Sequence, residues 1–509
     1  MSETGSSTER SLNRVLITVS IMLATIMQAI DNTIANVALP QIQGALSATQ
    51  DQMAWVLTSY IIAAAIMTPL SGWLATRLGR KRVFLYSVVG FTIASVLCGA
   101  AQSLPEIVVA RLAQGICGAA LVPLSQAVLL DINPPENHAR AMAVWVMAAT
   151  IGPIVGPVLG GWLTEHYNWR WVFYINVPFG ILAFLGIARY MPETLLRKLR
   201  FDFVGFSALI IAIGALQLML DRGQLLDWFG STEIWAEATV SAVAFYLFTV
   251  HMLTTDEEPF VSAAIFKDRN FLTGNVFIFV TALTLYGTLA LLPPLLQQLM
   301  GYPVVTAGLV TAPRGIGTLL AMFTVGRIAR RVSPRLIIAA GLGLTAFSLW
   351  QMTQFSTEMD AAPVIWSGLV QGFGSGLAFV PVATVTFATL ASSLRNEGTA
   401  LFSLVRNLGS SVGISAIEIL LARNEQIIHS TLAEHVTPYN VLLQTQSPAV
   451  SSTELSLAIL DRRVSQQASM IAYNNDFKFM MVAALCAIPL VFLLQKARSK
   501  KETGPVVVE

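Results

Sequence analysis

Apolar runs of about 20 residues recur along almost the whole chain, separated by short segments rich in charge, proline or glycine. At 1.5 Å per residue, a helix of that length crosses the ~30 Å hydrocarbon layer of a bilayer. The pattern predicts fourteen spanning helices, near 15–38, 54–76, 83–102, 106–130, 140–164, 170–190, 203–220, 233–253, 271–296, 304–328, 335–356, 362–390, 398–422 and 477–495. The expected fold class is therefore an all-α polytopic membrane protein. Its expected organisation is a tail at 1–14, a six-helix bundle at 15–190, two inserted helices at 203–253, a second six-helix bundle at 271–495 and a tail at 496–509. The polar start and the length of the first apolar run predict a retained first helix rather than a cleaved signal peptide. Composition agrees: 55% of the 509 residues are hydrophobic and 12% charged, against roughly 25% charged in soluble domains.

An even helix count puts both ends of the chain on one face, and lysine and arginine identify it. With the ends in the cytoplasm, that face collects 22 of the 31 basic residues, and the opposite face six: Arg170, Arg222, Arg423, Arg462, Arg463 and Lys478. Arg111, Arg314 and Arg406 fall inside helices. Most connections are short. The exception is 423–476, a long and mostly polar segment expected on the outer face. Long loops in compact proteins are usually functional or disordered. Within it, Leu457, Leu460, Val464, Ala468 and Ile471 are spaced for a helix over 452–474 with one apolar side. Such a helix either lies on the membrane or bundle surface or docks a partner.

The chain also matches itself at an offset of 254 to 257 residues. The stretch from Gly72 to Lys81 finds Gly326 to Arg335, Leu112-Ala-Gln-Gly115 finds Leu369-Val-Gln-Gly372, Gly152 and Gly156 find Gly409 and Gly413, and Pro40 finds Pro294. Helices 1–6 thus repeat as 9–14 in the same direction, with helices 7 and 8 between them. Parallel repeats are a transporter architecture, with the substrate site at the repeat interface near the midplane.

Specific motifs sharpen this. Asp31-Asn-Thr-Ile-Ala-Asn-Val-Ala-Leu-Pro40, Arg111-Leu-Ala-Gln-Gly115, Gly152-Pro-Ile-Val-Gly-Pro-Val-Leu-Gly-Gly161 and Asn168-Trp-Arg-Trp-Val-Phe-Tyr-Ile-Asn-Val-Pro178 resemble the fourteen-helix drug:proton antiporters of the EmrB type, in the major facilitator superfamily. The resemblance covers nearly the full length. It implies a proton-driven multidrug efflux transporter of the bacterial inner membrane, working by alternating access on lipophilic or amphipathic small molecules. It also implies an EmrA-type periplasmic adaptor and a TolC-type outer-membrane channel, for which 423–476 or helices 7 and 8 are the expected contact. Gly152, Pro153, Gly156, Pro157, Gly160 and Gly161 fall on that family's helix 5 antiporter motif. Gly72, Arg77, Gly79, Arg80 and Lys81 fall on the superfamily's gating loop, but the acidic residue usual there is replaced by Thr76.

The chemistry is narrowed by what the chain omits. Net charge is only +2, which gives no electrostatic footprint for nucleic acid. Cys98, Cys117 and Cys486 are scattered through apolar runs, without metal or disulfide spacing. No G-x-x-x-x-G-K-[ST] phosphate loop is present, so an ion gradient rather than ATP is the expected energy source, with no cofactor.

Ionisable residues inside spans are functional candidates by default. Asp31 lies about 13 Å inward of Pro40, and Arg111 about 9 Å inward of Pro105, so the two reach similar depth and can pair. A carboxylate set between apolar surroundings and a guanidinium can exchange its proton when that distance changes. The competing reading is a purely structural ion pair. Gln28, Asn32 and Asn36 follow helical spacing around Asp31 and are cavity candidates, with polar helix packing equally served. Arg314, near mid-helix 10, is a further cavity candidate, for an anionic substrate group or a carboxylate opposite. Arg406 and Glu418 are secondary candidates, about 18 Å apart along helix 13, with Glu418 expected to be solvated. Gly152, Gly156 and Gly160 share one helix face, which lets another helix approach closely, while Pro153 and Pro157 bend the backbone. Two alternatives remain: a dedicated exporter of one metabolite such as a siderophore or fatty acid, and a sensor or scaffold that kept the fold without turnover. An enzyme is disfavoured, since no nucleophile–base pair or metal site stands out.

Overall fold

The computed structural model describes residues 3–48, 50–193, 200–255, 259–329, 331–436 and 454–495. The expected 496–509 tail and residues 437–453 lie outside them. No strand occurs among the described residues. Fourteen long helices follow one another: α1 Glu3–Leu46, α2 Gln50–Leu78, α3 Arg80–Ala100, α4 Leu104–Ile132, α5 His138–His166, α6 Trp171–Tyr190, α7 Phe203–Arg222, α8 Thr232–Thr254, α9 Arg269–Leu299, α10 Thr306–Ile328, α11 Pro334–Met352, α12 Ala362–Ala388, α13 Arg395–Glu434 and α14 Glu454–Ala487. Among the described residues thirteen of these contain a segment long and apolar enough to cross a membrane, and α5, with 29 residues, runs beside them.

Local chemistry sets where these helices begin. Asp202, Ser231 and Asp268 cap α7, α8 and α9, their side chains accepting from the amides of Gly205, Glu233 and Phe271 at 2.8, 3.2 and 3.0 Å. Those amides have no partner within the helix, so a side-chain acceptor stabilises the end. Proline opens α11 and α12, where its missing N–H removes nothing from the helix. Gly79 alone joins α2 to α3, at φ +88°, a left-handed backbone that glycine adopts without strain.

The helices form two halves of one design. In the first, α1 packs on α5 and α6, α2 on α4, and α3 on α4 and α6; in the second, α9 packs on α13 and α14, α10 on α12, and α11 on α12 and α14. Each pairing recurs eight helices later. The repeated small residues are the contact points. A side chain on Gly152 would run into the Ala29 carbonyl of α1, and one on Gly409 would meet the Phe279 backbone of α9. Likewise Gly115 lies against Tyr60 of α2, and Gly372 against Arg314 of α10.

The halves meet where α2 packs on α13 and α5 on α10, and α7 lies against both α2 and α13. Their contact is not uniform through the thickness. One cluster of buried apolar residues joins both halves on the side of the chain's two ends, from Ile17 and Met27 in α1 through Trp145 in α5 to Met322, Leu377 and Phe402. On the opposite side each half has its own cluster, Ile30 to Phe173 in the first and Leu283 to Met480 in the second. The molecule is fused on the terminal face and divided on the other.

One expectation is corrected. The segment 423–476, expected as a long polar loop holding a helix over 452–474, is helical over Arg423–Glu434 and from Glu454 onward, as continuations of α13 and α14. Polar composition hid the continuation of α13, because helices beyond a bilayer need no apolar surround. The continuations pair with each other: Ser469 donates to Glu425, and His429 lies 3.3 Å from Asp461. Ala468 is buried, Leu460 and Val464 are half-buried, and Leu457 and Ile471 stay exposed. The expected helix therefore pairs with the end of α13, while Gln466 and Gln467 tie it to the Leu299 carbonyl and the Thr357 hydroxyl of the bundle.

Candidate functional site

Helices α1, α3, α4 and α6 of the first half enclose a fully buried polar cluster. Asp31 of α1 is 0% exposed and Arg111 of α4 1%, and Arg111 Nη1 donates to Asp31 Oδ2 at 2.7 Å. The other carboxylate oxygen, Oδ1, accepts from Gln114 Nε2 at 2.8 Å and Asn176 Nδ2 at 2.7 Å. Arg111 is held in turn. Its Nε donates to the Val56 carbonyl at 3.2 Å, Nη1 also reaches Gln114 Oε1 at 2.8 Å, and its guanidinium lies 4.4 Å from the Tyr60 ring centroid. Asn176 also donates to Ser95 Oγ, which donates to the Phe173 carbonyl.

This arrangement is one negative and one positive charge, cancelled at contact and closed off from solvent by neutral donors. Charge-assisted hydrogen bonds of this kind are short and strong. The cluster sits where the joined core gives way to the divided one, since Met27 belongs to the former and Ile30 to the latter.

The second half repeats the scaffold with different chemistry. Gln371 of α12 occupies the place of Gln114 and donates to Thr288 Oγ1 of α9 at 2.8 Å. At the offsets of 257 and 254, Gly368 stands where the first half has Arg111, and Arg314 where it has Tyr60. Arg314 is 6% exposed, and none of its three guanidinium nitrogens has a hydrogen-bond partner among the described residues.

The other expected residues separate into those drawn into contacts and those left outside them. Gln28 Nε2 lies 3.4 Å from the Tyr60 hydroxyl, touching the edge of the Asp31 cluster, while Asn32 is exposed. The side chains of Asn36, Pro153 and Pro157 lie outside the described residues. Gly152 and Gly156 pack on α1 within their own half, where a side chain would strike the Ala29 carbonyl and the Thr33 hydroxyl. Thr33 also donates to the Gly152 carbonyl at 2.9 Å. Gly160 is buried, its carbonyl accepting from Thr164 at 2.7 Å, but nothing approaches the open side of Gly161. The motif's tightest contacts therefore hold α5 to α1, and only other faces of α5 meet the second half. Arg406 lies 5.9 Å from the Trp145 ring centroid, across the seam. Glu418 is exposed.

At the terminal face residues of the expected gating loop contact the second half. Arg80 is ion-paired with Asp131 at the end of α4, and Asp131 is also ion-paired with Arg395 at the start of α13. Arg80 Nε donates to Asn396 Oδ1 at 2.6 Å, and Asn396 Nδ2 donates to Thr76 Oγ1 at 3.1 Å. A side chain on Gly72 would press on the Asn396–Glu397 backbone at 3.1–3.2 Å. Arg77 lies over Trp73, its guanidinium 4.9 Å from the ring centroid, and Lys81 is half-buried. Asp131 thus supplies the carboxylate that Thr76 does not.

Four residues escaped the sequence reading. Gln114 and Asn176 stand inside the motifs quoted for α4 and α6, but neutral amides give no signal by charge. Asp131 lies in the last turn of α4, one residue beyond the span expected at 106–130. Asp476 fell at the edge of the expected loop, yet it is 0% exposed within α14, and neither carboxylate oxygen has a hydrogen-bond partner among the described residues.

Residues 21–414 match the Major Facilitator Superfamily. The chain is 39% identical over 470 residues to the multidrug export protein EmrB of Escherichia coli strain K12, covering 91% of this chain and 92% of that one. It is 37% identical over 483 residues to the fatty acid resistance protein FarB of Neisseria gonorrhoeae, covering 94% and 95%. Among solved structures it resembles the human organic anion transporter MFSD10 (TETRAN), with a TM-score of 0.60 over 95% of this chain and 99% of that one. At 14% identity, that likeness is one of fold.

Proposed function

The chain belongs to the Major Facilitator Superfamily, and on that premise we propose that it is a multidrug exporter driven by protons through alternating access. It is a transport protein, not an enzyme. The observation that supports proton coupling is the Asp31 cluster: a carboxyl group with no solvent contact, ion-paired with Arg111. Taking up a proton removes the attraction that holds α1 to α4, so protonation and helix movement are linked. Substrate bound between the halves shifts the same equilibrium, and only by its differential affinity for the two states.

The surplus of lysine and arginine supports placing the terminal face in the cytoplasm of a bacterial inner membrane. The divided face then opens outward, which suits proton entry and substrate release. Gln28, Asn32, Asn36 and Arg314 are the proposed cavity residues, and the Gly72–Lys81 loop with Asp131 and Arg395 the inner gate. Assembly with an EmrA-type adaptor and a TolC-type channel follows from kinship to EmrB, and the paired extension of α13 and α14 faces the correct side to meet an adaptor.

A second reading has its own support. Identity to FarB nearly equals identity to EmrB, so a dedicated exporter of fatty acids fits the same fold and coupling. The deciding experiment is dye uptake into everted vesicles under an imposed pH gradient, comparing the intact chain with Asp31→Asn. Accumulation that an uncoupler collapses and the variant lacks establishes proton-coupled export of lipophiles. Accumulation of fatty acid but of no unrelated dye selects the dedicated exporter, and equal accumulation by both proteins removes Asp31 from the coupling.

A further inference from the structure

We propose that Arg314 anchors a negatively charged group, a carboxylate, sulfonate or phosphate ester, on a lipophilic transported molecule. The inference rests on the transport reading above and names its substrate class. A guanidinium keeps its charge inside proteins and offers five N–H donors. Here it is 6% exposed, and Nε, Nη1 and Nη2 all lack partners among the described residues. An uncompensated buried charge is among the most costly features a fold carries, so the position calls for an anion.

The carboxylates among the described residues do not supply it. Asp31 is fully engaged by Arg111, Gln114 and Asn176, and both oxygens of Asp476 are themselves unpartnered. The two halves make the contrast plain. In the first, α1 presents a carboxylate to the buried arginine. In the second, α9 presents the hydroxyls of Thr284 and Thr288, and those donate to the Val280 and Thr284 carbonyls. The second half carries its cation at a different position, that of Tyr60, and among the described residues no anion faces it.

Position suits a ligand. Along α10, Arg314 falls between Val310 of the divided core and Ala321 of the joined one, the level at which parallel-repeat transporters hold substrate. Glycines at 368 and 372 let α12 approach its backbone without side chains. Ser375, buried and with its hydroxyl unpartnered, lies on the same α12 face by helical spacing and can donate to a bound oxyanion.

The test measures binding to the purified full chain, without a gradient, of 11-(dansylamino)undecanoate and its carboxamide, for the native protein, Arg314→Gln and Arg314→Lys. The native protein should prefer the carboxylate. Arg314→Gln should weaken carboxylate binding by about 10- to 100-fold, as for loss of hydrogen bonds to a charged group, while the carboxamide, which also reports that the variant is folded, binds as before. Arg314→Lys should retain part of the preference, because the charge stays while the planar fork is lost. Equal binding of acid and amide by the native protein, no carboxylate binding, or an equal loss of both ligands in Arg314→Gln would each overturn the proposal. Since no proton gradient is involved, failure of proton coupling would leave this result standing.

Discussion

Arg395, at the start of α13, is ion-paired with Asp131, at the end of α4, so a residue of each half closes the face where the two apolar cores are joined. Asp131 binds Arg80 of its own half as well, which fixes it between the two. The pair is partly exposed, with side-chain exposures of 18% and 32%, so solvent screening limits its strength. Asp131→Asn should favour opening of the terminal face by about 1 kcal/mol, roughly a fivefold shift in population. Spin labels on the α3 and α13 ends would report it as a growing long-distance component. An unchanged distance distribution would mean that the joined core alone holds this face shut.

Removing one member of the Asp31–Arg111 pair has a different cost, because no other ion pair among the described residues neutralises the one left behind. Asp31→Asn leaves Arg111 buried at 1% exposure with no counter-charge, and should destabilise the protein by about 3–5 kcal/mol. The double variant Asp31→Asn with Arg111→Gln removes both charges and should recover most of that stability without restoring proton-coupled transport. Thermal unfolding in detergent, read beside vesicle transport, separates the two. Recovery of transport along with stability would make the pair structural.

How much of this was legible in the sequence depends on which property marks a residue. Apolar runs are long enough to reveal each helix within the bilayer, and charges are so rare there that Asp31 and Arg111 stand out, with matched depth bringing them together. Gln114 and Asn176 complete the enclosure with neutral amides, whose partners are set by the packing of α1, α4 and α6 rather than by spacing along the chain. Asp131 finds Arg395 across 264 residues, beyond any local pattern. Asp476 fell between the helix expected over 452–474 and the span expected from 477: where a helix leaves the membrane its polar face returns, and apolarity no longer marks its end.

Glycines in α5 provide an internally controlled comparison. A methyl group at Gly152 or Gly156 would strike α1 at the Ala29 carbonyl or the Thr33 hydroxyl, whereas Gly161 has nothing within 4 Å. Gly152→Ala and Gly156→Ala should each cost about 1–3 kcal/mol by overpacking, and Gly161→Ala should cost nothing measurable. Equal effects at all three positions in a thermal assay would contradict the close approach of α1 and α5.

Acid should weaken the α7–α8 pair through Asp202. Burial opposes its ionised form, but hydrogen bonds from the Gly205 and Phe260 amides and from His251 together outweigh that and hold its carboxyl below the usual range. A depressed value means that the unfolded chain binds the proton more readily, so Asp202 contributes stability above the ordinary aspartate range and loses it as pH falls through its folded value. Unfolding followed between pH 5 and pH 3 (roughly the span around an ordinary aspartate) should show this loss, and Asp202→Asn should flatten that part of the profile. A profile unchanged in the variant would assign the acid limb to other carboxylates.

Asp476 and Asp31 are both 0% exposed, yet replacing them by leucine should move stability in opposite directions. Asp31 has hydrogen bonds to both oxygens and an ion pair to lose. Asp476 has no such partner among the described residues, and it sits among apolar groups, with Tyr473, Phe477 and Met480 in the surrounding cluster. Asp476→Leu should therefore raise stability by about 1–3 kcal/mol, the usual cost of an unsatisfied buried polar group, while Asp31→Leu lowers it. If Asp476→Leu is more stable and transports less, the carboxyl is kept for the transport cycle at the expense of the fold, as functional groups commonly are. If it is less stable, a bound water satisfies the carboxyl and its burial is structural.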